Sequence, residues 1–193
     1  EEAVRRAEEI TVESASKVDT KLIDAPATMS VVSEQTLATS PAQTYADLLR
    51  AVPGMNVTQT SARDMNLTSR QATSTLNNSQ LVLVDGRSVY LDFFGLVLWD
   101  FVPSAQSGDI KQIEVVRGPA SVVWGANALT GVVNVITKTP RENEGFGLNL
   151  SAGVFNRDGG SREGDGSGYQ YSGGFSWANA INDTWSYKLT AGY

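Results

Sequence analysis

The chain has 193 residues with 41% hydrophobic and 19% charged side chains, enough to bury a core and neither disordered nor fibrous in composition. A formal charge of −6 argues against a nucleic-acid partner, which would need clustered Lys and Arg to neutralise phosphates. Cysteine and histidine are absent, which removes disulfides, thiolate metal sites, imidazole ligands and histidine-based catalysis. No cofactor or metal site is expected.

No stretch approaches the roughly 18–20 apolar residues of a membrane helix, and no basic segment followed by an apolar one opens the chain. The sequence therefore reads as a mature protein or a fragment. Residues 1–9, EEAVRRAEE, hold two i,i+4 Glu–Arg pairs, too few to sustain an isolated helix, and are expected to form a mobile tail. Ile10-Thr11-Val12 follows as a short β-prone run among polar residues. It suits either an edge strand or a peptide captured by strand addition to a partner's sheet.

Residues 27–33, ATMSVVS, form a strand candidate. The segment 40–54, SPAQTYADLLRAVPG, predicts a helix with Ser40 as its cap, Pro41 in the first turn and Pro53-Gly54 as its stop. Tyr45, Leu48, Leu49 and Val52 make one apolar stripe at i, i+3, i+4, i+7, a core face. Short strands are expected near 56–59 and 66–70. In QLVLVDGRSVYL (80–91), Asp85-Gly86 between two β-prone runs predicts a type I′ hairpin. The aromatic stretch 92–101, DFFGLVLWDF, has no clean period and suits either a buried loop or an exposed ligand platform.

The stretch 113–138, IEVVRGPASVVWGANALTGVVNVITK, reads as strand, Gly-Pro corner, a turn of helix and strand. Pro119 is expected at the first helical position, and Gly125 ends the helix. Val132, Val133, Val135 and Ile136 are apolar on both faces, as in a strand buried on both sides of a small mixed sheet. After Pro140 three segments of about ten residues alternate large apolar side chains with Gly, Ser and Asn. Phe146, Leu148, Leu150, Ala152 and Val154 mark the first, Tyr169, Tyr171, Phe175 and Trp177 the second, and Trp185, Tyr187, Leu189 and Ala191 the third. Such dyad repeats suit a transmembrane β-barrel, although an amphipathic soluble sandwich shares the alternation. Three strands cannot close a barrel, so the chain is expected to be the front of a longer protein.

The pieces LLRAVPGMNV, LVLVDGRSV and above all residues 113–138, in this order and followed by glycine-rich strands, resemble the plug and first barrel strands of the TonB-dependent outer-membrane receptors. The resemblance implies an α+β plug, a small mixed sheet with short helices, inside an antiparallel barrel of roughly 22 strands. It divides the chain into a periplasmic tail (1–20), a plug (21–140) and three barrel strands (141–193). It identifies Glu9, Ile10, Thr11 and Val12 as the TonB box that pairs with the energy-transducing partner. It also implies structural roles for Arg70, Asp85, Gly86, Glu114, Arg117, Gly118, Pro119, Gly125 and Gly131, with Gln71 standing where the family usually has glycine. Ligand contacts are expected on the plug apex at Ser61, Arg63, Asp64, Met65, Tyr90, Asp92, Phe93, Phe94 and Trp99. The implied partners are the TonB periplasmic domain, outer-membrane lipid and a small-molecule or chelate ligand such as a siderophore, haem or cobalamin. The implied location is the outer membrane of a Gram-negative bacterium, with a periplasmic N-terminus and no enzymatic activity. The alternative reading is a barrel-anchored surface binding protein without transport. A carboxylate enzyme built on Asp85, Asp92 and Asp100 is a third, and the hairpin already accounts for Asp85.

Overall fold

The structure is a computed structural model that describes residues 9–40, 42, 44–59, 65–70, 79–91, 93, 96–97, 99, 102–103, 108–155 and 168–192. It divides into two compact units. The first takes in the chain up to Ala105 together with Ile110–Thr137, and the second Gln106–Asp109 with Lys138–Tyr193.

The first unit is organised by a five-stranded mixed sheet. Strand β10 (Ile110–Arg117) lies between β3 (Met29–Ser33) at the edge and β11 (Gly131–Thr137) at the centre, antiparallel to both. β11 runs parallel to β6 (Gln80–Val84), which turns through Asp85-Gly86 into β7 (Arg87–Ser88). Both turn residues have positive φ, 48° and 72°, as the predicted type I′ turn demands. The sheet is covered on both faces, which explains the near-continuous valine runs. On one face Ile113, Val115, Val133, Val135 and Val82 pack with Leu48, Leu49, Val52, Met55 and Leu67. On the other, Val116, Val132, Leu81 and Leu83 pack with Ala128 and the half-buried Trp124. Truncating a side chain as fully buried as Leu49 to alanine costs about 2–5 kcal/mol.

The helices are shorter than the sequence suggests. The apolar stripe is buried as expected, but its helix α2 covers only Tyr45–Arg50 and is capped by Thr44, whose hydroxyl accepts from the Asp47 amide. Ser40 instead ends a preceding helix, α1 (Glu34–Thr39), capped by Ser33. A Thr followed three residues later by Asp offers the amide at that position an acceptor, and Thr44 also donates to the Asp47 carboxylate. Helix α3 begins at Ser121 rather than Pro119 and ends at Trp124, where Gly125 takes φ of 89°. The strands predicted near 56–59 and 66–70 form the ribbon β4 (Met55–Gln59) and β5 (Met65–Ser69), while β8 (Tyr90–Leu91) and β9 (Leu96–Val97) make a second, shorter one. Near the N-terminus β1 (Thr11–Val12) pairs with β2 (Thr20–Lys21).

The second unit is an antiparallel sheet of β12 (Gly145–Phe155), β13 (Gly168–Ala180) and β14 (Ser186–Gly192). Its register places Phe146 opposite Trp177, Leu148 opposite Phe175 and Trp177 opposite Leu189, so the apolar residues share one face. That face is open: Leu150, Val154, Tyr169 and Tyr171 are all exposed. The other face holds small and polar pairs such as Ser151 with Ser172, and there Lys188 pairs with the buried Asp109 at 3.1 Å. No helix among the described residues is long and apolar enough to cross a membrane, a statement that leaves strands aside.

Candidate functional site

The sequence sets residues 1–20 apart as a tail. Residues 1–8 lie outside the described residues, whereas the stretch from Ile10 to Lys17 is packed against the sheet. Its foundation is a pair of polar side chains in a row of valines. Glu114 on β10 and Asn134 on β11 are register partners and project on the same sheet face as Val116 and Val132. Both are wholly buried. Buried polar groups need partners, and the N-terminal segment supplies them.

Ser14 is the centre of the contact. Its amide donates to Glu114 Oε2 at 2.8 Å, its hydroxyl accepts from Asn134 Nδ2 at 3.0 Å, and its carbonyl accepts from the Trp124 indole Nε1 at 2.7 Å. The Glu13 amide also donates to the Glu114 carboxylate, at 3.2–3.3 Å. Beyond Ser14 the chain makes one tight turn, Lys17 N to Glu13 O at 2.7 Å, closed by Lys17 at φ of 59°. The Lys17 ammonium then sits 4.4 Å from the centre of the Trp124 ring. Val12 is buried, at 1% exposure. Ile10, Thr11 and Glu9 remain at the rim of an open cleft of about 440 Å³ that Lys111, Gln112, Glu114 and Ile136 also line. Gln112 Nε2 reaches across to the Thr11 carbonyl at 3.0 Å and to Glu114 Oε1 at 2.7 Å.

Glu13 feels this crowding. Burial, then the neighbouring charges of Glu114, Asp19 and Asp85, raise its pKa above the usual carboxylate value, against a lowering by Lys111. The Asp85–Gly86 turn closes the same end of the sheet. Its carboxylate accepts from the amide and hydroxyl of Thr137 at 2.8 and 2.9 Å, and the Gly86 amide donates to Asn134 Oδ1 at 3.2 Å. Asn134 thus joins the hairpin turn to the N-terminal segment.

The remaining named residues fall in other places. At the opposite end of β10, Arg117 donates through Nη1 to the Pro53 carbonyl at 2.6 Å and packs against Gly54, tying the sheet to the loop after α2. Gly118 at φ of 140° follows, and Pro119 leads into α3. Arg70 takes φ of 60° itself, and its amide donates to the Gly54 carbonyl. Of the apex set, Ser61, Arg63, Asp64, Asp92 and Phe94 lie outside the described residues, as does Asp100. Met65 and Trp99 meet: the Trp99 indole donates to the Met65 carbonyl at 3.0 Å, and its ring tilts against Tyr45 at 5.6 Å. Trp99 is therefore partly buried against the core. Tyr90 lies in the β8–β9 ribbon, and Phe93 is 90% exposed.

Sequence reasoning missed Ser14, Gln112, Trp124 and Asn134. The signal was present: Asn134 interrupts a run of valines, and a polar residue on a strand buried on both faces implies a partner from elsewhere in the chain.

The sequence model described as the TonB-dependent Receptor Plug Domain matches residues 21–132, more than half of the chain. The chain belongs to the TonB-dependent receptors. Among curated relatives, the vitamin B12 transporter BtuB of Vibrio vulnificus is 31% identical over 142 residues, covering 74% of this chain and 23% of that protein. The iron-regulated outer membrane virulence protein of Vibrio cholerae is 30% identical over 172 residues, 86% of this chain and 24% of that protein. Among solved structures, the siderophore receptor PirA from Acinetobacter baumannii aligns with a TM-score of 0.59 at 27% identity, over 86% of this chain and 24% of that one. The chain thus spans about a quarter of the length of the relatives it matches.

Proposed function

We propose that this chain is the plug and first barrel strands of an outer-membrane active transporter, which binds an extracellular ligand and imports it with energy from the inner-membrane TonB complex. The observation that carries this reading is the placement of Ile10-Thr11-Val12. A two-residue strand at the rim of an open cleft, continuous with residues outside the sheet, is suited to capture by strand addition. The segment would face the periplasm and serve as the TonB box. Residues 141–193 would begin a barrel of roughly 22 strands, its exposed apolar face against outer-membrane lipid.

Relatives named for vitamin B12 and for ferric enterobactin support a metal-chelate cargo, a corrinoid or a ferric siderophore. The cargo would meet the plug at Met65, Tyr90, Phe93 and Trp99, together with Ser61, Arg63, Asp64, Asp92 and Phe94. Phe93, with its ring almost fully exposed, is the best placed of the described residues to stack on such a ligand.

Native mass spectrometry of the protein extracted from its outer membrane in mild detergent tests the reading. A mass well above the 20.6 kDa of this chain, with a discrete chelate adduct, is expected. A mass near 20.6 kDa without adduct would instead require other copies or chains to complete the sheet, and the transporter reading would fall.

A further inference from the structure

Residues 113–138 supply more than the middle of a sheet. Three of them, Glu114, Trp124 and Asn134, converge from β10, α3 and β11 on one residue of the N-terminal segment, Ser14, and take up its amide, carbonyl and hydroxyl. We propose that these three side chains form a releasable socket that clasps residues 12–17 and so withholds Ile10-Thr11-Val12 from a strand-adding partner. The inference rests on the reading of residues 9–12 given above.

Two physical features make the contact a clasp rather than ordinary core. The first is where the holding energy lies. β1 and β2 are two residues each, and such a short ribbon has almost no stability of its own. What fixes the segment is the set of bonds at Glu13 and Ser14, together with the burial of Val12. The second is the chemistry of Glu114. Its neighbours Ile113, Val115 and Val116 show what a permanently buried position on this strand takes. The Glu114 carboxylate accepts from Gln112 of its own strand, and its remaining acceptor capacity is met by the amides of residues 13 and 14 when the segment is seated or by water when it leaves. Glu114 therefore tolerates both states, where a valine would favour permanent closure.

The seated state also covers the very strand a partner would use. One edge of β1 is bonded to β2, Thr11 opposite Lys21 and Val12 opposite Thr20. The Thr11 carbonyl is bonded by Gln112 Nε2, whose two protons go to Thr11 and to Glu114. Glu114 thus holds the segment twice, directly through residues 13 and 14 and indirectly by aiming Gln112 at Thr11. A partner strand must break these bonds before it can form its own. The apparent affinity is then the intrinsic one reduced by the fraction of molecules with the segment released.

Glu114→Gln is the direct test. It keeps size and one acceptor but removes the charge that two amides and Gln112 address. Trp124→Phe is the second variant; it removes the indole N–H and part of the ring but leaves the β10–β11 pair untouched. Both are made in the intact protein in mild detergent, and amide hydrogen exchange is followed in residues 9–17, with 113–116 and 132–135 reporting on the fold. In Glu114→Gln, exchange in 9–17 is expected to rise about tenfold or more, the scale of a lost charge-assisted hydrogen bond. The sheet stays protected, and Trp124→Phe gives a smaller rise. Binding of the isolated TonB periplasmic domain is expected to tighten by the same factors. Unchanged exchange in 9–17 in both variants would overturn the socket and leave the proposed function standing. Faster exchange in both with no gain in TonB binding would overturn residues 9–12 as the partner's strand.

Discussion

Two glycines of the 113–138 motif offer a comparison in which one stereochemical cost is shared and a second is not. Gly125 and Gly131 both have positive φ, 89° and 155°, where an L side chain is strained by about 1–3 kcal/mol. A Cβ on Gly125 meets nothing within 4 Å, so Gly125→Ala should cost that strain alone. On Gly131 it would lie 2.1 Å from the Val116 carbonyl oxygen, backbone of the neighbouring strand, and 3.0–3.1 Å from the Gln80 amide. Relief requires β10 and β11 to part by roughly an ångström at their Arg117–Gly131 pairing, and overpacking of this kind adds about 1–3 kcal/mol. Gly131→Ala should therefore cost about 2–6 kcal/mol in total. Amide exchange of residues 110–117 and 131–137 in the intact protein reads the difference, since each decade of lost protection corresponds to about 1.4 kcal/mol. Gly131→Ala should lose about one and a half to four decades, and Gly125→Ala, which carries the strain alone, no more than about two. Equal losses, or a larger loss at Gly125, would refute the assignment of Gly131 to close backbone approach.

Glu13 holds its proton more tightly in the seated segment than in a free chain, so its ionisation opposes seating. Seating should strengthen as pH falls through the window just above the ordinary carboxylate range. Glu13→Gln should accordingly raise the protection of amides in residues 9–17, relative to their intrinsic exchange rates, at neutral pH and flatten the pH dependence of that protection, and lower protection would contradict this sign. In the β12–β14 sheet, Leu150→Arg places a charge on the exposed apolar face and, if that face meets lipid as proposed, should destabilise the protein by about 2–4 kcal/mol near the midplane. Ser172→Arg on the opposite face should cost far less; urea unfolding from lipid vesicles measures both, and equal costs would argue for a soluble sandwich.

Legibility in the sequence followed periodicity. The stripe Tyr45, Leu48, Leu49, Val52, the Asp85-Gly86 turn and the dyad repeats after Pro140 each repeat a local rule several times, and each stands in the structure where it was read. Boundaries set by a single hydrogen bond were less legible. Thr44 and Ser40 are equally good caps in isolation, and the accessible Asp47 amide decided between them. The one-and-a-half-turn helix at Glu34–Thr39 has too short a span for any period to show. Least visible was the seating of the N-terminal segment, because it depends on contacts 100 and more residues apart, Ser14 with Glu114, Trp124 and Asn134. Each of those residues looks ordinary until the others are placed around it. Of the apex, Met65 and Trp99 are joined by a hydrogen bond that spacing could not foretell.

The central claim, that Ile10-Thr11-Val12 is the strand through which the protein is energised, is tested most directly by Ile10→Pro. Proline removes the residue's N–H and fixes φ, which spoils strand addition without touching the sheet or the apex. Ligand binding and energised uptake are measured side by side in cells carrying the intact protein. Unchanged binding with uptake abolished is expected; normal uptake would contradict the assignment of residues 10–12.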